Sequence, residues 1–184
     1  MDSINQNQTE CNHENLNAAI AVEKLKEIVD KAKSCFFTTS VDSGFRTRPM
    51  NVQEVDDEGN LWFLSADDSH KNLELKDNPF VQLYFQGSPH SDFLSLEGKA
   101  TISRDKQRIK DLWQFMIGTW FTEGVDDPRI TVIKVTPIEG YYWDNKHGNT
   151  IAGIKMLFGA MIQKTMDDSI EGELQFTHGS VKPD

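Results

Sequence analysis

The chain has few basic residues, few cysteines and no long apolar segment. Its 184 residues include 19 Lys and Arg against 29 Asp and Glu, which gives a formal net charge of −10. Nucleic acids and anionic membranes attract proteins with excess positive charge, so the composition argues against both as general partners. No apolar run approaches the length of about 20 residues that a transmembrane helix needs. The N-terminus also lacks the basic and apolar parts of a secretory signal.

Several common motifs are missing as well. The two cysteines, Cys11 and Cys35, form neither a disulfide framework nor a metal-binding pattern, as is typical of a reduced cytoplasmic protein. The five histidines have no metal-ligand spacing, and we predict no metal site. The sequence contains no G-x-G-x-x-G, no P-loop and no Gly-x-Ser-x-Gly. The sequence therefore gives no support for a common nucleotide-binding fold or for catalysis by a covalent nucleophile.

Composition divides the chain into three parts. Residues 1–16 are rich in Asn, Gln and acidic residues, and we expect a disordered or loosely attached leader. Residues 17–145 carry the periodic patterns of a folded domain. Residues 146–184 combine a helical apolar pattern over 151–166 with a polar tail, which we expect to be weakly ordered from Asp167 onward.

The central part mixes short strands with a few helices. The predicted helices, which are amphipathic or begin at a typical cap, are 17–34, 69–76 and 105–121. The predicted strands, which are rich in β-branched and aromatic residues, are 35–40, 46–55, 61–65, 80–86, 93–103, 130–135 and 140–143. Regular βαβ alternation is missing. We therefore predict an α+β fold, mainly antiparallel, around a small barrel.

One cluster of polar residues has the pattern of an anion site. Ser69-His70-Lys71 stands at the start of a predicted helix, where free amides and the helix dipole favour an anion. Arg46 and Arg48 share one face of a nearby strand because side chains alternate along it. An arginine can bind two phosphate oxygens at once. A capped surface helix with solvated charges explains the same residues, so both interpretations stay open at this point.

Aromatic residues are numerous, with eleven Phe, four Trp and three Tyr. Two groups stand out, one at 141–143 and one formed by Trp113, Trp120 and Phe121. Such residues bind planar ligands, but more often they fill a core or a subunit interface. The pattern alone does not choose between these roles.

Several short runs, taken in order, carry a family resemblance. They are RPMNVQ at 48–53, LWFLS at 61–65, SHKNLEL at 69–75, LEGKA at 96–100, WF-x-EG-x-DDP at 120–128 and VTP with YWD between 135 and 144. Their order and spacing resemble the pyridoxamine-phosphate-oxidase-like FMN-binding split barrels, and most of all the bacterial general stress protein subgroup. The resemblance covers about residues 18–145. It implies a six-stranded antiparallel split barrel that forms a homodimer, with FMN at the subunit interface.

The resemblance also implies roles for individual residues. Arg48 takes the position of a strand arginine that contacts the flavin phosphate, and Ser65 offers a hydroxyl at the end of the next strand. Ser69 and Lys71 occupy the helix start that holds the phosphate. Trp143 matches an aromatic residue that reaches the flavin from the partner chain.

Three further residues, Met50, Gln53 and His70, complete the expected cofactor-binding set, and two of them depart from the family pattern. Gln53 stands where the true oxidases often have lysine, and His70 replaces the arginine of a Ser-Arg-Lys triplet. A C-terminal Arg-x-His motif is also missing. These departures argue against oxidation of vitamin B6 phosphates.

The function that the resemblance implies is that of an FMN-dependent oxidoreductase of the general stress type. The flavin performs the redox chemistry in such proteins, which fits a sequence without a nucleophile. Two alternatives remain at this point. One is a non-catalytic carrier or sensor that binds flavin or haem, and the other is an interaction protein whose aromatic surfaces serve only dimerisation.

Overall fold

The computed structural model of the protein describes residues 12–113, 121, 123–145 and 169–177. Its helices are α1 (Ala18–Ala32), α2 (His70–Asp77) and α3 (Lys106–Leu112), followed by a 3-10 turn at Gly124–Asp126. Its strands are β1 (Leu16–Asn17), β2 (Ser34–Val41), β3 (Gly44–Asn51), β4 (Glu54–Val55), β5 (Leu61–Ala66), β6 (Phe80–Gln86), β7 (Phe93–Ser103), β8 (Ile130–Asn145) and β9 (Ser169–Gln175). The predicted α+β class with a mainly antiparallel sheet is confirmed.

The sheet has the order β1-β9-β8-β7-β6-β2-β3, and among the strands that the structure describes only the short β1 pairs in parallel with its neighbour. Strand β8 joins three others, because its first half pairs with β5, its second half with β9, and its other edge with β7. The rings of Phe37 on β2 and Phe63 on β5 meet edge to face at 5.4 Å, although these strands are not neighbours in the sheet. The sheet therefore curves around one core without closing, which is the predicted split barrel.

Two predicted strands, 130–135 and 140–143, are one continuous strand, β8. The register against β7 shifts between Glu97 and Gly98, so that Ile138 is the additional residue of a bulge. Pro137 is tolerated beside this bulge, where the regular hydrogen-bond pattern is interrupted. A side chain at Gly98 would place its Cβ only 2.5 Å from Val135 Cγ1, so this close approach requires glycine.

The predicted strand 46–55 is instead two strands, β3 and β4. All eight residues of β3 pair with β2, and only the two residues of β4 form the hairpin with β5. Between them, the Val52 amide donates to the Lys33 carbonyl at 3.1 Å, and the Gln53 amide donates to the Trp62 carbonyl at 2.8 Å. At these two residues the chain ends its pairing with β2 and begins its pairing with β5.

The expected weakly ordered tail contains strand β9, which pairs with β8 over seven residues. Residues 13–17 run beside the outer edge of β9, with Leu16 opposite Leu174 and His13 opposite Glu171. A Cβ at residue 172 would lie 1.8 Å from the Glu14 carbonyl oxygen, so only glycine fits there. The first eleven residues of the expected leader and the predicted helix over 151–166 lie outside the described residues.

The helices pack against the barrel through regularly spaced apolar residues. Helix α1 buries Ala21, Leu25, Ile28 and Val29, whereas Ile20 is 59% exposed. Helix α3 is capped by Asp105, whose carboxylate accepts hydrogen bonds from the amides of residues 107 and 108. The helix ends at Leu112 and Trp113 is extended, with φ −69° and ψ 124°, so the predicted helix 105–121 is too long, and residues 114–120 lie outside the described part. None of the described helices is long and apolar enough to cross a membrane.

Candidate functional site

A buried polar network fixes the start of α2 to the sheet. Ser65 Oγ donates to Asn72 Oδ1 at 2.7 Å, Asn72 Nδ2 donates to Thr131 Oγ1 at 2.8 Å, and Thr131 Oγ1 donates to the Ser65 carbonyl at 3.0 Å. All three residues are buried. Because a satisfied buried network is costly to rearrange, the orientation of α2 on β5 and β8 is well defined.

The N-terminus of α2 presents polar donors and hydroxyl groups. The Ser69 carbonyl accepts the amides of Asn72 at 3.0 Å and Leu73 at 3.3 Å, and the Ser69 side chain makes no capping bond to the helix. The amides of His70 and Lys71 come before Asn72 in the first turn of the helix. Amides at these positions have no carbonyl acceptor within the helix. Ser69 Oγ lies 3.2 Å from Ser65 Oγ and accepts from Lys71 Nζ at 3.3 Å. This arrangement suits an anion at the helix start.

Arg48 reaches the same region from the edge strand β3. Its Nη2 donates to Glu74 Oε2 at 2.7 Å and its Nη1 to Thr39 Oγ1 at 3.0 Å, and Thr39 in turn donates to Glu74 Oε2 at 2.6 Å. Arg46, on the same face of β3, places Nε at 3.8 Å from Glu74 Oε1 but is 60% exposed. We call Arg46, Arg48, Lys71 and Glu74 the α2 cluster.

Lys71 has a different electrostatic environment from the other cations of the cluster. Within the part of the chain that the structure describes, no carboxylate lies within 4.0 Å of its ammonium group. Burial and the neighbouring charge of Arg48 lower the pKa of Lys71, and Glu74 and Asp68 offset this only in part. The cluster therefore holds three cations against one directly paired carboxylate. An additional anion between Lys71 and Arg48 would be favoured.

The structure brings four of the eight predicted site residues together: Arg48, Ser65, Ser69 and Lys71. Met50 lies one strand period beyond Arg48 on β3 and packs against the core. His70 is exposed at the first position of α2. Gln53 donates its side-chain amide to the Asn51 carbonyl at 3.3 Å and makes no hydrogen bond to the α2 cluster.

Trp143 lies far from these residues within the same chain. Ser65 is in register with Thr131 on β8, and Trp143 is twelve residues further along that strand. Its ring is 42% exposed and stands 4.7 Å from that of Tyr141. The strand register places Tyr84 and Phe36 on the same outer face of the sheet.

A cavity of about 470 Å³ lies on this outer face. Phe45 and Phe80 contribute to its lining, as do the two facing carboxylate residues Glu97 and Glu139. None of the lining residues belongs to the α2 cluster. The cavity and the cluster are therefore separate features on opposite faces of the sheet.

Sequence reasoning missed four residues that shape the cluster: Thr39, Asn72, Glu74 and Thr131. A partial signal existed for Glu74, because it follows Lys71 at a spacing of three and so shares its helix face. Thr39 and Thr131 become neighbours of the site only through strand pairing. No local pattern indicates this pairing.

Comparison with protein families identifies the chain. The model of the pyridoxamine 5'-phosphate oxidase-like family matches residues 21–167, and the chain belongs to this family. The resemblance seen in the short sequence runs is thus confirmed. Among characterised proteins, protein bli-3 of Neurospora crassa is 27% identical over 90 residues. That match covers 45% of this chain and 43% of bli-3, so the chain matches less than half of the length of this relative.

Solved structures share the fold. General stress protein 26 from Bacillus anthracis has a TM-score of 0.59 and 21% identity, over 66% of this chain and 92% of that one. The general stress FMN/FAD binding protein from Xanthomonas citri has a TM-score of 0.55 and 22% identity, over 64% of this chain and 82% of that one. At these identities the likeness concerns the fold.

Proposed function

We propose that this protein binds FMN and that the α2 cluster holds the flavin phosphate. The observation that carries the proposal is the position of Lys71, half-buried beside Arg48 and the α2 N-terminus without a paired carboxylate among the described residues. A phosphomonoester near neutral pH carries close to two negative charges and several acceptor oxygens. Two cations, the Ser69 hydroxyl and the amides of a helix start match such a group.

Arg48 retains donors for this ligand. A guanidinium has five N–H groups, and the described contacts to Thr39 and Glu74 use two of them. The remaining N–H groups can bind phosphate oxygens without breaking the pair with Glu74. The name of the Xanthomonas citri protein, which specifies FMN/FAD binding on the same fold, supports flavin as the class of ligand.

We also propose that the protein is a homodimer in which Trp143 of one chain approaches the flavin bound to the other. Trp143 lies twelve residues along β8 from the residue paired with Ser65, which supports a role of Trp143 at the site of the other chain rather than of its own. Exposed aromatic residues on one face of a sheet are typical of an interface between proteins. Phe36, Phe45 and Trp143, exposed by 60%, 73% and 42%, support such a surface.

The chemistry of this protein would then be that of a flavin-dependent oxidoreductase in the cytoplasm. Bound FMN would supply hydride or electron transfer, while the protein binds and orients the flavin. Arg48 and Lys71 would hold the phosphate by charge and Ser69 would add a hydroxyl group, while Ser65, which donates its hydroxyl hydrogen to Asn72, would position the start of α2. Gln53 and His70, in place of two cations of the family pattern, argue against a pyridoxamine phosphate substrate.

Titration with FMN and riboflavin tests the binding proposal. The two flavins share the ring system and differ in the phosphate, so their affinities separate phosphate recognition from ring stacking. We expect purified protein to quench FMN fluorescence saturably and to bind riboflavin at least tenfold more weakly. A folded protein that binds no FMN, or that binds both flavins equally, would contradict the proposal.

A second experiment separates an enzyme from a carrier. A small amount of FMN-bound protein is mixed, without oxygen, with an excess of free reduced FMN and of a candidate electron acceptor, and oxidation beyond that of a protein-free control is followed by flavin absorbance. An oxidoreductase oxidises many equivalents of reductant per protein, whereas a carrier gives a single stoichiometric event. Sedimentation of the same sample determines whether the flavin-bound form is a dimer.

A further inference from the structure

We propose that Glu74 is a positioning residue that also limits the anion affinity of the α2 cluster. This inference rests on the proposed phosphate site and concerns a residue to which the family resemblance assigned no role. Glu74 fixes Arg48 in a set orientation, and its negative charge cancels part of the attraction that Arg48 would otherwise exert on a bound phosphate.

The contacts of Glu74 support the positioning role. One carboxylate oxygen, Oε2, accepts from Thr39 Oγ1 at 2.6 Å and from Arg48 Nη2 at 2.7 Å, so β2, β3 and α2 meet at this atom. The Glu74 side chain is only 10% exposed and that of Arg48 is 23% exposed. An arginine held by two partners at a partly buried position loses less conformational freedom when a ligand binds.

The charge of Glu74 supports the limiting role. The carboxylate lies on the helix face of Lys71, next to the cations assigned to the phosphate, and like charges repel more strongly where burial reduces solvent screening. Hydrogen bonds from Thr39 and Arg48, with the positive charges of both arginines, outweigh burial and lower the pKa of Glu74. The residue therefore stays charged at neutral pH, and a phosphate must bind beside an existing anion.

The variants Glu74→Gln and Glu74→Ala separate the two roles. Glutamine keeps an oxygen that accepts from Arg48 and Thr39 but removes the charge, whereas alanine removes both. We expect Glu74→Gln to bind FMN at least tenfold more tightly than the wild type, with riboflavin affinity changed less than twofold. We expect Glu74→Ala to bind FMN more weakly than Glu74→Gln, because Arg48 is no longer held.

The control is Glu23→Gln on α1, an exposed residue whose substitution changes the net charge equally. Unchanged FMN affinity in Glu74→Gln, an equal gain in Glu23→Gln, or an equal gain for riboflavin would overturn the inference. If the wild type binds no FMN, the proposed function fails, and titration with inorganic phosphate decides the inference. Tighter phosphate binding by Glu74→Gln than by the wild type would support it, and the lack of such a gain would overturn it.

Discussion

Two clusters of charged residues in this protein contain the same kinds of side chains but differ in their balance of charge. The α2 cluster has three cations and one carboxylate. The second, which we call the α1 cluster, consists of Lys24, Glu27, Lys31, Asp92 and Asp144. In it, Lys24 donates to Glu27 at 3.0 Å and also to Asp144, and Lys31 donates to Glu27 at 2.8 Å and to Asp92 at 2.6 Å.

The difference in balance has opposite effects on the lysines. In the α1 cluster burial opposes the charged form, but hydrogen bonds to the carboxylates outweigh it and raise the pKa of Lys24 and of Lys31. In the α2 cluster burial and Arg48 lower the pKa of Lys71. Lysines that are paired with carboxylates within the chain stabilise the fold, whereas a lysine without such a pair provides affinity for an external anion. The net charge of −10 does not reveal this difference.

The largest effect on stability is expected from Asp92→Ala in the α1 cluster. Asp92 is 2% exposed, bonds to Lys31 and to Ser91 Oγ, and has a left-handed φ of 59°. The substitution removes a buried ion-pair partner and places alanine at an unfavourable φ, so we expect a loss of about 2–4 kcal/mol in the free energy of unfolding. Urea denaturation measures this loss, and Asp92→Asn, which tolerates this φ, serves as the milder control.

The pH dependence of this effect follows from the carboxyl group. Hydrogen bonds from Lys31 and the nearby serines outweigh burial and lower the pKa of Asp92 below its ordinary value of 3.8. Its contribution is therefore present above pH 3.8 and is lost as the pH falls through the folded-state pKa. The difference in stability between the wild type and Asp92→Ala should shrink in that acidic range. FMN affinity is the control. If Asp92→Ala lost FMN affinity together with stability, the α1 and α2 clusters would not have separate roles.

The next largest effect is expected on binding, from Arg48→Ala in the α2 cluster. Loss of a charged phosphate contact should weaken FMN binding by about 1–3 kcal/mol, and Lys71→Ala should have an effect of similar size. Lys76→Ala is the matched control, since Lys76 is an exposed lysine in the last turn of the same helix. Fluorescence titration compares the three variants with the wild type. Wild-type affinity in Arg48→Ala and Lys71→Ala would remove these residues from the site.

The two clusters also differ in how far sequence reasoning could reach them. The α2 cluster depends on short-range patterns, namely a serine that precedes a helix and two arginines at the strand period of two. These patterns predicted Ser69, Lys71 and Arg48 as neighbours. The α1 cluster joins residues 24 to 31 of a helix to Asp92 and Asp144, which lie 61 and 120 positions away from Lys31 and Lys24. No local pattern links such distant residues.

The same distinction explains which parts of the fold were missed. The turn at 56–60 and the apolar spacing of α1 are set by residues close together in the sequence. The strand after that turn and helix α1 could therefore be predicted. Strand β9 has a polar sequence, SIEGELQ, and exists through pairing with β8 on one side and residues 13–17 on the other. The break between β3 and β4 likewise depends on the strand partners of each half. Both features are set by tertiary contacts rather than by the intrinsic preference of the residues.

The smallest expected effect is a fractional proton uptake that accompanies FMN binding. The pKa of free Lys71 is lowered, and a bound phosphate dianion favours the ammonium form and so raises that pKa. Between the lowered value and the ordinary 10.5, binding must therefore take up protons, and FMN affinity must fall as the pH rises. Lys31, whose pKa is raised, stays protonated over this range and contributes nothing.

Calorimetry at about pH 9 in buffers of different ionisation enthalpy measures this uptake, because the phosphate is then fully ionised and does not itself titrate. Riboflavin corrects for protons that the ring system exchanges. We expect an uptake of less than one proton per FMN, present in the wild type and in Lys31→Met but absent in Lys71→Met. Equal uptake in the wild type and Lys71→Met would mean that the phosphate does not approach this ammonium group. The contrast between the paired lysines of the α1 cluster and the unpaired Lys71 would then lose its functional meaning, because Lys71 would be a half-buried cation without a ligand.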